Sequence, residues 1–363
     1  MLTKKCKILF VCPYPYDVQA GQRLKFEPSY EIFKKNNYQI YTAPFFNIST
    51  WKILHKKGFI LKKIYGTILG YFKRIFQILN LYSYDIIYIH MWVTPFGGYL
   101  FELIFKIFSR RIIYDIEDNI LLIKKSEINP ISSFFKSAKK TNYLIKNSDH
   151  IITSSPELNK KCLSISKKNN TTYISPTINT NRYKPLKIHN QKNEITIGWT
   201  GTISSKKYLK IVEPVLVKLS KTKKIKFLVI GNFFYELEGV KTETIFWNKE
   251  NEINDLLKID IGIYPLFDDE WVSGKSGLKA LQYMALGIPP VVTNVGNNLN
   301  IIENGRNGFL VNNQEDWYNI FLKLIDDSNI RNKIGKEANK TINKFYSIDI
   351  VSKKYINIFN KLS

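Results

Sequence analysis

Short β-rich apolar runs, each followed by a stretch long enough for a helix, recur in two successive series, and this alternation most constrains the fold. In the first series "KILFVC", "YQIYTAPF", "YDIIYIHMW", "RIIYDIED" and "DHIITSS" read as strands, with "FEPSYEIFKKN" as a helix between two of them. The second series offers "EITIGWTGT", "KIKFLVIGN", "TETIFW", "IDIGIYPL", "PPVVTN" and "GFLV" as strands. Its helices are "YLKIVEPVLVKLS", "NEINDLLKI", "LKALQYMALG" and "QEDWYNIFLKLIDD". Strands joined through helices imply parallel sheets covered on both faces, because parallel neighbours need a crossover connection. A polar, aperiodic stretch, "PTINTNRYKPLKIHNQK", separates the series as a linker. The expected class is therefore α/β, with two doubly wound domains facing across a cleft; ligands of such sheets bind beyond the carboxyl ends of the strands.

A length of 363 residues suits two such domains, and 44% apolar with 14% aromatic residues argues against global disorder. The cysteines are Cys6, Cys12 and Cys162, without CxxC spacing. That usage fits a reducing cytoplasm and argues against a disulfide framework or a thiolate zinc site. The start, "MLTKKCKILFVCPYPY", reads as a first strand rather than a signal peptide. No apolar run approaches the roughly 20 residues that span a bilayer. A net charge of +24 attracts polyanions, although lysine is abundant throughout the chain. No helix-turn-helix, RNP-type or zinc module accompanies it, so nucleic acid is not an expected partner.

Residues 51–79 stand apart. At 100° per residue, Ile53, Ile60, Leu61, Ile64, Ile68, Phe72, Ile75 and Leu79 share one arc, and Lys52, Lys56, Lys62, Lys63, Lys73 and Arg74 the other. Gly58, Gly66 and Gly70 weaken or divide the helix. Two readings stay open: a helix covering its own sheet with lysines in water, or a basic amphipathic helix on an anionic membrane surface.

The stretch "GKSGLKALQYMALGIPPVV" puts glycines and lysines at a helix start, where backbone N–H groups lack internal partners and attract anions. Gly274 and Gly277 allow close backbone approach, Lys275 and Lys279 add charge, and Gln282 can reach a hydroxyl. This is a diphosphate cradle without the spacing of a Walker loop; the competing reading is a glycine turn with solvated lysines.

Extended to "GKSGLKALQYMALGIPPVVTNVGNNLNIIENGRNGFLV", the stretch resembles the donor-binding signature of glycosyltransferase family 4, a retaining GT-B family. That signature runs Glu-Gly-Phe-Gly, four residues, Glu-Ala-Met-Ala-x-Gly-x-Pro-Val-Val, then a Gly-rich turn. "GQRLKFEP" is similar to its glycine–arginine loop after the first strand, "RIIYDIEDNI" to the Asp-x-Asp-Asp segment of one branch, and "DHIITSSPEL…ISPTINTNRYKP" to its approach to the hinge. The resemblance implies two Rossmann-like domains: 1–185 for the acceptor, 186–345 for a nucleotide-sugar donor, and a C-terminal helix, about 346–363, returning to the first. It implies a UDP- or GDP-sugar donor, no metal or other cofactor, and a glycan or lipid-linked acceptor in surface-polysaccharide synthesis. The expected location is the cytoplasm, peripherally on the inner membrane face through 51–79.

By resemblance, Lys275, Ser276 and Gly277 face sugar and diphosphate, and Lys279 matches a lysine common in the pattern. The family's two glutamates fall at Gly274 and Gln282; the amide keeps a hydrogen bond but not the charge. After the second series' first strand, Gly201 with Lys206 or Lys207 could meet the leaving diphosphate, unless those lysines are merely solvated; Thr200 stands where many members carry arginine. In the first domain, Gly21, Gln22 and Arg23 would meet the diphosphate, with an Arg23–Glu27 pair as the alternative. Asp115, Glu117 and Asp118 could orient or deprotonate the acceptor hydroxyl, or form an N-cap cluster. His90 ends the preceding strand as an acceptor contact or a satisfied core histidine. Loss of both glutamates keeps a second function open: a catalytically silent nucleotide-sugar or polyanion-binding protein.

Overall fold

The computed structural model describes residues 5–54, 56–117, 119, 138–184 and 186–363. The chain divides into two compact units: Met1–Thr177 with Gly274–Ser276 and Ile348–Ser363, and Ile178–Ser273 with Gly277–Ser347. Each is built on a six-stranded parallel sheet.

In the first unit, β1 (Cys6–Cys12), β2 (Tyr38–Pro44), β3 (Ile86–His90), β4 (Ile112–Ile116), β5 (His150–Thr153) and β6 (Thr171–Tyr173) lie in the order β2-β1-β3-β4-β5-β6. Side chains alternate across the sheet: Ile8 and Phe10 enter one core layer with Phe26, Phe33 and Tyr88, while Leu9 and Val11 enter the other with Ile87, Phe105 and Tyr114. β6, "TTY", carries no apolar signal of its own and exists because it pairs with β5 at the sheet edge. The helices are α1 (Ala20–Arg23), α2 (Tyr30–Lys35), α3 (Ile48–Leu54), α4 (Ile60–Ile78), α5 (Leu100–Phe108), α6 (Ala138–Asn147) and α7 (Pro156–Ser166). Ser155 caps α7 by accepting the Leu158 N–H at 3.1 Å, with Pro156 pre-set for the first turn.

The 51–79 segment departs from the reading of a helix that covers its own sheet. It is two helices, α3 and α4, separated where Gly58 and Phe59 both adopt positive φ, 78° and 57°. The face of α4 turned inward is not the apolar arc but Gly66, Gly70 and Arg74. A methyl group on Gly66 would strike Thr50, and one on Gly70 the Phe45 ring, so the helix backbone lies directly on its neighbours. Arg74 is fully buried yet satisfied, donating to the carbonyls of Val93 at 2.8 Å, Ala43 at 2.9 Å and Cys12 at 3.1 Å. The apolar arc points outward, so a helix covering the sheet with its apolar side is excluded.

The second unit orders β7 (Ile195–Gly201), β8 (Ile225–Gly231), β9 (Thr242–Phe246), β10 (Ile261–Tyr264), β11 (Pro290–Thr293) and β12 (Phe309–Val311) as β12-β11-β10-β7-β8-β9. Around it run α8 (Glu213–Ser220), α9 (Glu252–Leu256), α10 (Leu278–Ala285), α11 (Asn298–Ile301), α12 (Gln314–Asp326) and α13 (Ser328–Phe345). The single helix expected over "YLKIVEPVLVKLS" is instead a 3-10 segment, Ile203–Ile211, and then α8. Pro214, in the first turn of α8, cannot donate to a preceding turn and sets the break. Finally α14 (Ile348–Leu362) joins the first unit's core, setting Tyr355 and Phe359 against Phe33 at 5.7 and 5.1 Å between ring centres.

Candidate functional site

Polar side chains gather at the carboxyl end of each sheet. In the first unit His90, the last residue of β3, lies in register with Asp115 on β4. Asp115 is fully buried, and each of its oxygens is engaged: Oδ1 by the Lys25 ammonium, Oδ2 by the Tyr88 hydroxyl at 2.7 Å and His90 Nδ1 at 3.0 Å. Burial by itself would raise the carboxyl, but the Lys25 charge and the His90 hydrogen bond outweigh it and hold Asp115 at about 2. An ionised carboxylate only accepts, so Nδ1 of His90 must carry the proton that joins them. Burial likewise keeps the Tyr88 phenol protonated, its pKa pushed well above the ordinary range.

This fixes the other imidazole nitrogen. His90 Nε2 is buried, has no hydrogen-bond partner among the described residues, and lies 3.8 Å from Glu117 Oε2. The Phe26 ring, edge-on at 5.1 Å, restrains the imidazole further. Glu117 itself sits against Gly21, where any side chain would collide with the carboxylate. Gln22 is spent within the loop after β1: its amide donates to Tyr14 O and Glu27 Oε1, both at 3.0 Å, and accepts the Tyr14 N–H. Arg23 is buried in the last turn of α1, and Glu27 takes its hydrogen bonds from Gln22 and the Asp17 N–H at 2.8 Å. Burial raises the Glu27 carboxyl against the pull of those two donors. Asp118 lies outside the described residues.

In the second unit Lys279 occupies the first turn of α10, its ammonium over the rings of Trp199 at 5.6 Å and Tyr264 at 4.8 Å. Gly201, at the end of β7, is required there: a methyl group would come within 2.4 Å of the Trp199 ring and 3.1 Å of Lys279 Cε. Gly277 caps α10 with φ of 78°, a conformation other residues resist, and no side chain bonds the N–H groups of the first turn from that cap. Tyr283 braces the end of β7 by accepting the Thr200 N–H at 3.0 Å. Gln282 is buried and donates through Nε2 to the Tyr183 hydroxyl at 3.0 Å and to Glu252 Oε1 at 3.4 Å. Glu252 also receives Trp247 Nε1 at 3.3 Å and lies 3.4 Å from Arg182. Lys206 is exposed over the Phe233 and Tyr235 rings, and Lys207 over Tyr208, each at more than 5 Å. Gly274, Lys275 and Ser276 group with the first unit, where Gly274 O accepts from Ser154 Oγ at 3.2 Å. Among the described residues, no three His, Cys, Asp or Glu side chains are arranged to hold a metal.

Residues 184–341 match the family described as Glycosyl transferases group 1. That match covers less than half of the chain and makes this stretch similar to a group 1 glycosyltransferase domain. The capsular polysaccharide biosynthesis glycosyltransferase CapM of Staphylococcus aureus is 23% identical over 189 residues, which cover 48% of this chain and 48% of that protein. The chain thus matches about half the length of that curated relative. Two solved structures carry the same GT-B fold over nearly the whole chain. Sucrose-phosphate synthase from Thermosynechococcus elongatus aligns with a TM-score of 0.69 at 12% identity, covering 99% of both chains. HepE from Anabaena, in complex with UDP and glucose, aligns with a TM-score of 0.63 at 15% identity, covering 98% of this chain and 100% of that one. The two parallel sheets expected from sequence, each wrapped in helices, are thereby those of GT-B proteins.

Sequence reasoning passed over Lys25, Tyr88, Tyr183, Arg182, Glu252 and Tyr264. Lys25 sits inside the quoted "GQRLKFEP", but one lysine among so many gives no hint of burial. Glu252 begins a short helix and meets Gln282 only through the fold.

Proposed function

We propose that this protein transfers a sugar from a UDP- or GDP-sugar to a hydroxyl of a glycan or lipid-linked acceptor in surface-polysaccharide synthesis. The donor binds the second unit and the acceptor the first. The observation that carries the reading is Lys279, set on two aromatic rings at the start of α10 beside Gly201. As the bond from the anomeric carbon to the phosphate oxygen breaks, negative charge grows on the leaving diphosphate, and an ammonium with helix-start N–H groups stabilises it. Lys206 and Lys207 are further donors for the same diphosphate. The acceptor hydroxyl gives its hydrogen bond to Nε2 of His90, whose orientation Asp115 and Lys25 fix; Glu117 lies alongside. Configuration is retained and no metal takes part, as in family 4. The similarity to CapM and the UDP and glucose bound by HepE support the donor class. Among the described residues no helix is long and apolar enough to cross a membrane; we place the protein in the cytoplasm, attached at the inner membrane face.

The test is incubation of the full chain with UDP- and GDP-sugars and lipid extract, reading released nucleotide and the mass of the product. Transfer that persists for wild type and disappears for His90→Gln, with nucleotide affinity unchanged, is the expected result. Nucleotide binding without transfer to any acceptor would favour the silent sugar-nucleotide binder, which the Gly274 and Gln282 replacements also suggest.

A further inference from the structure

Helix α4 exposes the side that a sheet-covering helix would hide. Leu61 is 82% exposed, Leu79 76% and Phe76 66%, and Ile60, Ile64 and Phe72 lie in the same outward arc. α5 extends the patch: Tyr71 of α4 packs on Phe101 of α5 at 5.6 Å, while Leu100, Ile107 and Phe108 stay exposed. Contiguous apolar surface of this kind marks an interaction site rather than chance exposure. Its charge is one-sided. Lys52, Lys56, Lys57, Lys62 and Lys73 are exposed, and from Ile32 to Tyr84 the sequence contains no carboxylate side chain.

We infer that α4 and α5 form a docking surface for an anionic lipid bilayer. α4 lies in the plane of the interface, its apolar arc in the acyl boundary and Lys62 and Lys73 at the level of the phosphates. Gly66, Gly70 and Arg74 make this orientation stable, because they seat the helix without using its apolar residues. A second copy of the chain is a poorer occupant: two-fold pairing of these faces would bring the same lysines together, and the stretch from Ile32 to Tyr84 offers no carboxylate to answer them. An anionic headgroup layer complements both the charge and the apolar arc. The inference rests on the membrane attachment proposed above and gives it a surface.

The test is co-sedimentation of the full chain with vesicles of phosphatidylcholine alone, or with about one third phosphatidylglycerol, at about 0.15 M salt. Wild type is expected on the anionic vesicles. Leu61→Ser/Phe72→Ser should bind about tenfold more weakly with unchanged melting temperature, and Lys62→Gln/Lys73→Gln should lose most of its preference for anionic lipid. Wild-type binding that ignores both double variants would overturn this surface and leave membrane attachment standing. No binding to any vesicle would overturn both, without touching the transferase reading, which nucleotide titration judges separately. A dimer in sedimentation equilibrium that Leu61→Ser/Phe72→Ser separates would assign the face to a second copy and overturn the lipid inference.

Discussion

The polar centres of the two units are held by different physics. In the first, Lys25, Asp115, Tyr88 and His90 answer one another within a fully buried set. In the second, Lys279 is only partly buried and rests on the faces of Trp199 and Tyr264. A buried ion pair fixes geometry but is costly to desolvate, so it responds to pH and to the loss of either member. An aromatic bed holds a cation in place without neutralising its formal charge, which suits a group that must meet phosphate. The first centre is built for orientation, the second for attraction.

Removing one member of the buried pair should separate them most sharply. Lys25→Met leaves Asp115 buried without its cation and should cost about 3–5 kcal/mol in urea unfolding at pH 7. The wild-type pH profile has a definite sign. Asp115 is depressed from 3.8 to about 2 in the folded chain, so it adds stability that is complete above pH 4 and lost as the pH falls through 2. That contribution, on the order of 2 kcal/mol, should be missing from the acid limb of Lys25→Met. An unchanged acid limb would mean that Lys25 does not hold the carboxylate.

The second centre should yield to crowding rather than to pH. Gly201→Ala drives a methyl group against Trp199, which is 1% exposed and has nowhere to go. About 1–3 kcal/mol of stability should be lost, equally at pH 5 and pH 8, together with nucleotide affinity. A variant as stable as wild type would show that the indole can move aside. Gln282→Glu is the smallest change. It places a second carboxylate beside Glu252, so one of the two should titrate upward. A cost of about 1 kcal/mol at pH 7 that fades toward pH 5 is expected in thermal melts; a cost that grows on acidification would contradict the present hydrogen-bond assignment.

What the sequence disclosed follows from which forces are local. Runs such as "YDIIYIH" and "KIKFLVIG" are β-branched and apolar because they are buried on both faces, and that pattern survives without the fold. β6 was illegible because a three-residue strand owes its existence to the neighbour it pairs with. α13 is hard to read because its sequence is largely polar and its buried stripe, Arg331, Ile334, Gly335, Ala338 and Ile342, holds only three apolar side chains. For α4 the periodicity was plain and the direction was not. A helical wheel cannot tell an apolar face that packs from one that protrudes, and the deciding contacts are a bare backbone at Gly66 and Gly70 and a buried arginine. The candidate site divides in the same way. Gly201, His90 and Lys279 stand at ends of elements that sequence can locate, whereas Lys25 and Glu252 gain their partners only through tertiary contacts.

The central claim is that the second unit grips a nucleoside diphosphate through Lys279. Isothermal titration of UDP and GDP into the full chain, repeated with Lys279→Ala, tests it most directly. The account predicts that at least one nucleotide binds, that its affinity falls as salt rises, and that the variant binds about tenfold or more weakly at an unchanged melting temperature. Equal affinity in wild type and variant, or no binding of either nucleotide, would contradict it.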